Sequence, residues 1–252
     1  MGKGKKRLLM VLGGVVVTVV VAAGALLLAF RDQATPVTED DVTGSLVTVI
    51  GGGPGDFGLY RYATDGFEST DALNGAIHEY PAETFMTIQP GGCGEIVRWQ
   101  ALRERWSEWD LCDDGAMISW TSFNEWYGVG NTDTWVCDAP VPYTGEPGDT
   151  WRARCVNTNP DHPTDHFAEY QVIGLETLTI GDETVEALHI RMTATSLGWT
   201  EGTTVEETWT MPSTNLVVRR TRDYTSVNDT HVGKVEYHEE YDVVLISLSP
   251  HS

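Results

Sequence analysis

The stretch that decides the fold spans residues 171–222, and its clearest part is residues 188–195, LHIRMTAT. Leu, Ile, Met and Ala take one parity in this octapeptide while His, Arg and Thr take the other, which is the period of two expected of a half-buried strand. Residues 204–211 continue the alternation. There we predict that Val205, Trp209 and Met211 are buried and that Thr204, Glu206, Thr208 and Thr210 face outward.

Turn residues separate these runs at hairpin spacing. Gly181 and Asp182 follow one apolar run, and Asn74-Gly75 and Asp114-Gly115 are hairpin dipeptides because glycine adopts positive φ without strain. A long final strand is predicted over residues 234–248, with Tyr237 and Tyr241 on its buried side. The sequence therefore predicts an all-β or β-rich α+β domain built on an antiparallel sheet.

The N-terminus predicts a membrane anchor. Residues 8–30 form an uncharged apolar run long enough to span a bilayer as a helix, and basic residues precede it. The positive flank keeps residues 1–7 in the cytoplasm and places the rest outside, as a single-pass protein of the cell membrane. A cleaved signal peptide is the alternative. Residues 31–45 are acidic and contain Pro36, which predicts a flexible linker before one extracytoplasmic domain over residues 46–249.

The charge balance excludes one class of partner. The chain has 16 Lys and Arg against 37 Asp and Glu, a formal net charge of −21. Such a chain repels nucleic acid, so we predict no nucleic-acid partner. The acidic residues do not follow the spacing of a calcium-binding loop, and most of them are expected to be solvated surface.

The region between the first and last cysteine is the richest in aromatic residues. The four cysteines are Cys93, Cys112, Cys137 and Cys155, and an even number in an exported chain predicts disulfides, here between sequence neighbours, 93 with 112 and 137 with 155. The tryptophans of this region are predicted to lie in the core, and the alternative is an aromatic ligand platform formed by Trp99, Trp126 and Trp135. Residues 96–102 and 105–112 are predicted strands, although Trp99, Leu102, Trp106 and Trp109 also fit helical spacing.

The sequence contains no recognisable reactive motif. Residues 53–58, GPGDFG, satisfy a dinucleotide-binding pattern, but a strand-like run follows where a helix is required. His162 and His166 are spaced like metal ligands on a helix, but Pro163 lies between them and disfavours that helix. We predict no catalytic, metal-binding or cofactor-binding residues and no cofactor. A carboxylate pair formed in three dimensions stays open.

Four segments carry a resemblance to known families: residues 172–180, 185–190, 207–212 and 215–219. Together they give a hairpin, a strand and a tryptophan strand that leads into a further strand. This pattern resembles an uncharacterised family of actinobacterial membrane-anchored exported proteins and, more distantly, the half-barrels of LolA-like lipoprotein carriers. The resemblance implies a curved antiparallel sheet, half-barrel or sandwich-like, with a concave face that could hold an apolar molecule.

These observations lead to a functional prediction without an assigned reaction. We predict a membrane-anchored extracytoplasmic domain that binds a hydrophobic or cell-envelope component without catalysis, with a lipid or an envelope glycan as the ligand. One alternative is a carbohydrate-binding protein or an envelope-polymer hydrolase that uses a carboxylate pair. Another is a structural or partner-binding module with a filled core.

Overall fold

The computed structural model describes residues 32–43, 53, 55–230 and 233–251. These residues contain no helix with the length and apolar character that a membrane span needs. The predicted span at residues 8–30 lies outside the described residues. The anchor therefore stays a prediction.

The described chain is almost entirely β-structure. One short helix, α1 (Glu39–Thr43), precedes thirteen strands: β1 (Gly58–Thr70), β2 (Ala76–Glu79), β3 (Glu83–Pro90), β4 (Gly94–Gln100), β5 (Arg105–Cys112), β6 (Met117–Trp126), β7 (Val129–Val141), β8 (Thr150–Asn157), β9 (Thr164–Ile180), β10 (Glu183–Gly198), β11 (Thr200–Thr210), β12 (Val217–Thr230) and β13 (Gly233–Leu245). The antiparallel β prediction is confirmed.

The sheet closes on itself. Strands β3 to β13 pair antiparallel in sequence order, and β13 then pairs with β1, from Tyr62 with Leu245 to Thr70 with Tyr237. The first half of β1 pairs with β3 and its second half with the short β2, so the described strands form a closed barrel of twelve strands with β2 as an addition. The predicted half-barrel or sandwich is therefore corrected to a closed barrel. The sequence does not indicate closure, because no local pattern predicts that the first strand pairs with the last.

The hairpin turns lie where the glycines predicted them. Gly75, Gly115 and Gly181 have φ of 77°, 78° and 58° at the β1–β2, β5–β6 and β9–β10 connections. The helical alternative for the tryptophan segment is wrong. The segment forms β4 and β5, and Val97 lies opposite Trp109 in their register.

The parity predicted for β11 is reversed over residues 204–208, whereas Trp209 is 4% exposed and therefore buried as predicted. Thr204, Glu206 and Thr208 are 3%, 5% and 3% exposed, whereas Val205 is 37% exposed. A bulge at Trp209 and Thr210 shifts the register, and another between His189 and Ile190 interrupts the alternation of β10. The prediction failed because the interior of this barrel is partly charged, so the polar side of β11 is its buried side.

Residues 32–43 lie against the barrel. Pro36 forms a bridge with Leu102, and the backbone N–H of Arg103 donates to the carbonyl of Thr35 over 3.0 Å. Val37 and Val42 pack with Leu59 and Phe85 in a small apolar cluster. This part of the predicted linker thus contacts β1, β3 and the β4–β5 turn.

Candidate functional site

A line of alternating charges runs through the barrel interior. Its members, in order of contact, are Arg220, Glu206, Arg222, Glu239, Arg105, Glu68, His78 and Asp32, and we call this set the interior charge chain. Seven of them lie on six strands, β1, β2, β5, β11, β12 and β13, and Asp32 precedes α1. The strands place them together because each occupies an inward position, with Glu206 directly opposite Arg222 in the β11–β12 register.

The distances along the chain are those of ion pairs. The N···O separations are 3.6 Å for Arg220 with Glu206 and 3.5 Å for Glu206 with Arg222. Arg222 lies 3.2 Å from Glu239, and Arg105 lies 2.7 Å from Glu239 and 3.8 Å from Glu68. Since Glu68 and Glu239 are 0% and 1% exposed, these charges must compensate one another inside the protein.

Two tyrosines complete the hydrogen bonding of the buried carboxylates. Tyr237 donates its hydroxyl to Glu68 over 2.8 Å, and Tyr80 donates to Glu239 over 2.7 Å. Burial raises the pKa of both phenols well above its ordinary value, so both hydroxyls remain donors over the physiological range. The carboxylates therefore have a neutral donor as well as a cationic partner.

The pKa directions follow from these contacts. Burial alone would raise the pKa of Glu239, but Arg105 and Arg222 outweigh it, and the pKa lies below its usual range. Burial prevails at Glu68, whose pKa is raised despite its contacts with His78 and Arg105. Burial would lower the pKa of His78, but Glu68 and Asp32 outweigh it and raise that pKa.

The interior charge chain ends at Asp32, which lies in the segment before α1. Asp32 lies 2.6 Å from Nε2 of His78, and its other carboxylate oxygen accepts the backbone N–H of Tyr127 over 2.8 Å. Nδ1 of His78 lies 2.9 Å from Glu68, and its ring stacks on Trp126 at 4.0 Å. The first described residue of the chain is thus fixed to the barrel through a buried histidine.

The three tryptophans of the predicted platform lie in separate aromatic contacts. Trp99 is 1% exposed and donates its indole N–H to Thr84 over 2.9 Å. Trp135 is 8% exposed and stacks on Trp120 at 5.3 Å. Trp126 is half-buried against His78. Trp99 and Trp135 therefore pack as core side chains.

The cysteines pair as Cys93–Cys112 and Cys137–Cys155, matching the predicted pairing. The first disulfide joins the residue directly before β4 to the last residue of β5. The second joins β7 to β8, where the strands share only the pairs Trp135 with Asn157, Val136 with Val156 and the cysteines themselves. It thus cross-links the barrel at the β7–β8 junction, where only these three pairs join the two strands, and we call this junction the seam.

The outer surface carries connected open grooves. A groove of about 990 Å³ is lined by Ser69, Ile77, Thr203, Thr225 and His238 among others. A second, of about 830 Å³, shares Thr203 with it. A third, of about 490 Å³, shares Val205 with the second. Together they form one surface across β8 to β13, β1 and β2, which we call the outer groove face.

Cross-strand pairing gives the outer groove face its chemistry. One continuous row around the barrel contains Arg154, Phe167, Thr195, Thr203, Thr225, His238, Ser69 and Ile77. The hydroxyls of Thr203 and Thr225 lie 3.2 Å apart at its centre. Carboxylates flank the row, among them Asp71, Glu201, Glu236, Asp223 and Glu240. The face therefore combines hydroxyls, carboxylates and isolated apolar side chains.

Sequence reasoning missed both features. Acidic residues are predicted to be mostly solvated and Glu206 to face outward, but Glu68, Glu206 and Glu239 are all buried. Glu239 shares the parity of Tyr237 and Tyr241 on β13. The available signal for a buried charge was a carboxylate at a strand position whose neighbours on the same side are aromatic or apolar. The outer groove face left no such signal, since its rows depend on the register between strands.

The comparisons with known proteins add little. No family model matches the chain, and no curated protein matches it. One solved structure that it resembles is the hypothetical lipoprotein YmcC from Escherichia coli (K12), at 11% identity and a TM-score of 0.35, covering 82% of this chain and 97% of that one. The likeness is too distant to support an argument about function. These comparisons also give no support to the actinobacterial or LolA-like resemblance.

Proposed function

We propose that this chain is a non-enzymatic binding domain of the cell envelope that takes its ligand on the outer groove face. The observation that carries the proposal is the contrast between the two sides of the barrel. Inward side chains such as Tyr62, Trp99 and Glu239 are at most 1% exposed, whereas the outer side carries connected grooves of about 990, 830 and 490 Å³. A filled interior favours binding outside over a cargo carried within.

The chemistry of the outer groove face favours a neutral or amino-bearing glycan. Threonine and serine hydroxyls exchange hydrogen bonds with sugar hydroxyls, and carboxylates accept from hydroxyl or ammonium groups. Phe67, Ile77 and Val205 offer apolar contact to the C–H faces of a sugar ring. The carboxylates along the row repel phosphate-rich polymers and anionic lipid headgroups.

Hydrolysis by the buried carboxylates is disfavoured. Glu68 and Glu239 both contact Arg105, but at 0% and 1% exposure neither is reachable by a polymer. The ion pairs also hold these carboxylates in place, with no exposed position between them for a glycosidic oxygen. We therefore propose that the chain binds its ligand and does not hydrolyse it.

In the proposed function the barrel lies outside the cytoplasm on a single N-terminal span. Residues 8–30 supply the predicted span, and Asp32 is fixed to the barrel almost directly after it. Two disulfides suit an oxidising compartment. Protease added to intact spheroplasts should digest the domain, and digestion only after permeabilisation would contradict this orientation.

Binding can be tested by filling the groove. The double variant Thr203→Trp and Thr225→Trp places two bulky neutral side chains where the row crosses β11 and β12. The full-length protein in detergent should co-sediment with purified envelope glycan of its host, and the variant should lose at least tenfold in affinity. Thr177→Trp, at an exposed position on β9 outside the three grooves, is the matched control and should bind normally.

The outcomes discriminate among ligand classes. Loss of glycan binding in the groove variant alone supports the proposal. Equal binding by all three proteins would place the site elsewhere, and no binding by the wild type would overturn the glycan assignment. Native mass spectrometry that finds a lipid bound to the wild-type protein would favour the hydrophobic ligand instead.

A further inference from the structure

Arg220 differs from the other cations of the interior charge chain. Arg222 has Glu206 and Glu239 as neighbours, and Arg105 has Glu239 and Glu68. His78 lies between Glu68 and Asp32 in the same way. Among the described residues, Arg220 has ion-pair contact with Glu206 alone, at 3.6 Å. The alternation of charges thus stops at a cation with one carboxylate neighbour.

The guanidinium of Arg220 also has unused donors. Arg220 is 5% exposed, and its Nη1 has no hydrogen-bond partner within the part of the chain that the structure describes, whereas its Nε faces Oε1 of Glu206 over 3.6 Å. Its guanidinium carbon lies 4.0 Å from the centroid of the Trp109 ring, which offers a weak partner to the charge. A buried charged donor without a hydrogen-bond partner is costly, so an acceptor beside it would be stabilising.

A small cavity lies beside these donors. It has a volume of about 30 Å³ and is bordered by Arg220, Trp109, Tyr143, Thr210 and Asn215 among others. That is enough for one or two water molecules or one monatomic anion, and too little for an organic acid. Tyr143, Thr210 and Asn215 have hydroxyl or amide groups that can donate to an anion.

We propose that this cavity binds a single halide-sized anion on Nη1 of Arg220, the nitrogen that does not face Glu206. The anion gives Arg220 a second anionic neighbour, as Arg222 and Arg105 already have. Glu206 is the carboxylate that opposes it, and the positive charge of Arg222 beyond Glu206 offsets part of that repulsion. The bound ion is structural and lies in the interior, whereas the proposed glycan site lies on the outer groove face, so the two can be tested separately.

Anomalous diffraction is the direct test. Crystals of the protein grown with sodium bromide should show one bromide per chain in the cavity, in contact with Arg220. A water molecule at that position, with bromide only on the surface, overturns the proposal. This measurement needs no substitution and does not depend on whether a variant folds.

A solution test separates the site from general screening of the acidic chain. The Tm of the wild-type protein should be higher in sodium chloride than in sodium gluconate at equal ionic strength, because gluconate is too large for the cavity. Arg220→Gln should abolish the difference. Arg219→Gln, which removes the adjacent outward arginine paired with Asp242, should preserve it. Equal Tm values in the two salts for the wild type would contradict the proposal.

Discussion

Arg105 on β5 and Glu239 on β13 form a buried ion pair of 2.7 Å, although the two residues lie 134 positions apart in the sequence. Both side chains are inside the barrel, at 4% and 1% exposure. The pair joins the two halves of the interior charge chain, because Glu239 also contacts Arg222 and Arg105 also contacts Glu68. Buried pairs of this kind contribute little net stability, but the loss of one partner leaves an isolated charge.

Glu239→Gln tests this dependence. The substitution preserves shape but leaves Arg105 and Arg222 without their shared carboxylate, so we expect unfolding to become easier by about 3–5 kcal/mol. Glu240→Gln, at the adjacent exposed position on β13, is the control and should change stability by less than about 0.5 kcal/mol. Chemical denaturation of both variants measures the difference, and equal effects would show that the interior pairing is not needed.

Because of His166, we expect the free energy of unfolding to fall as the protein is acidified. Burial, assisted by the nearby charge of Arg222, lowers the pKa of His166 to about 4. Because the unfolded histidine has a pKa of about 6.5, the unfolded state binds the extra proton first as the pH falls from about 6.5 towards 4. At pH 5 this should cost the wild type about 2 kcal/mol relative to pH 7.

His166→Gln should remove that contribution. The variant is expected to show a smaller fall in free energy of unfolding between pH 7 and pH 5 than the wild type. His238→Gln, which replaces a more exposed histidine paired with Asp223, is the control and should keep the wild-type slope. An unchanged slope in His166→Gln would assign the acid sensitivity to other groups.

Much of this fold follows from local patterns, but its closure and its interior do not. The period of two in β9 to β13 and the glycines at the hairpin turns place individual strands. The alternation of apolar residues predicts the wrong side for Glu206, because the interior of this barrel is partly charged. The partners that make its burial tolerable, Arg220 and Arg222, lie on a different strand, and the register of β11 with β12 places Arg222 directly opposite Glu206 and Arg220 opposite the nearby Thr208.

Because of Glu95, we expect a change of stability with pH that is opposite in sign to that of His166. Burial, together with the charge of Asp113, raises the pKa of Glu95 to about 7. Between about pH 4.5 and 7 the folded state therefore holds the proton more tightly, and its stability falls as the pH rises through that window. Glu95→Gln should stabilise the protein at pH 7.5 by about 1–2 kcal/mol, after allowance for partial exposure, and should have little effect at pH 4.5.

The control for Glu95→Gln is Glu79→Gln, at an exposed position on β2. It should leave stability nearly unchanged at both pH values. Thermal denaturation at the two pH values distinguishes the variants. Stabilisation by Glu95→Gln that is the same at pH 4.5 and pH 7.5 would contradict a titration origin.

The two disulfides offer a matched comparison of how the barrel is held closed. Their cysteines are 19 and 18 residues apart, so loss of either should cost a similar chain-entropy term, about 3 kcal/mol. Their settings differ. Cys93–Cys112 lies at the end of a β4–β5 ladder that runs from Gly94 with Cys112 to Gln100 with Trp106, whereas Cys137–Cys155 lies in the three-pair ladder of β7 with β8.

Removal of Cys137–Cys155 should therefore have the larger effect. We expect Cys137→Ala with Cys155→Ala to lower the Tm more than Cys93→Ala with Cys112→Ala, because few ladder hydrogen bonds remain to keep the seam closed. Hydrogen exchange should show loss of protection at Val136 and Val156 in the first variant while the β4–β5 amides keep theirs. An equal fall in Tm, with the seam amides still protected, would mean that the neighbouring strands hold β7 and β8 together without the disulfide.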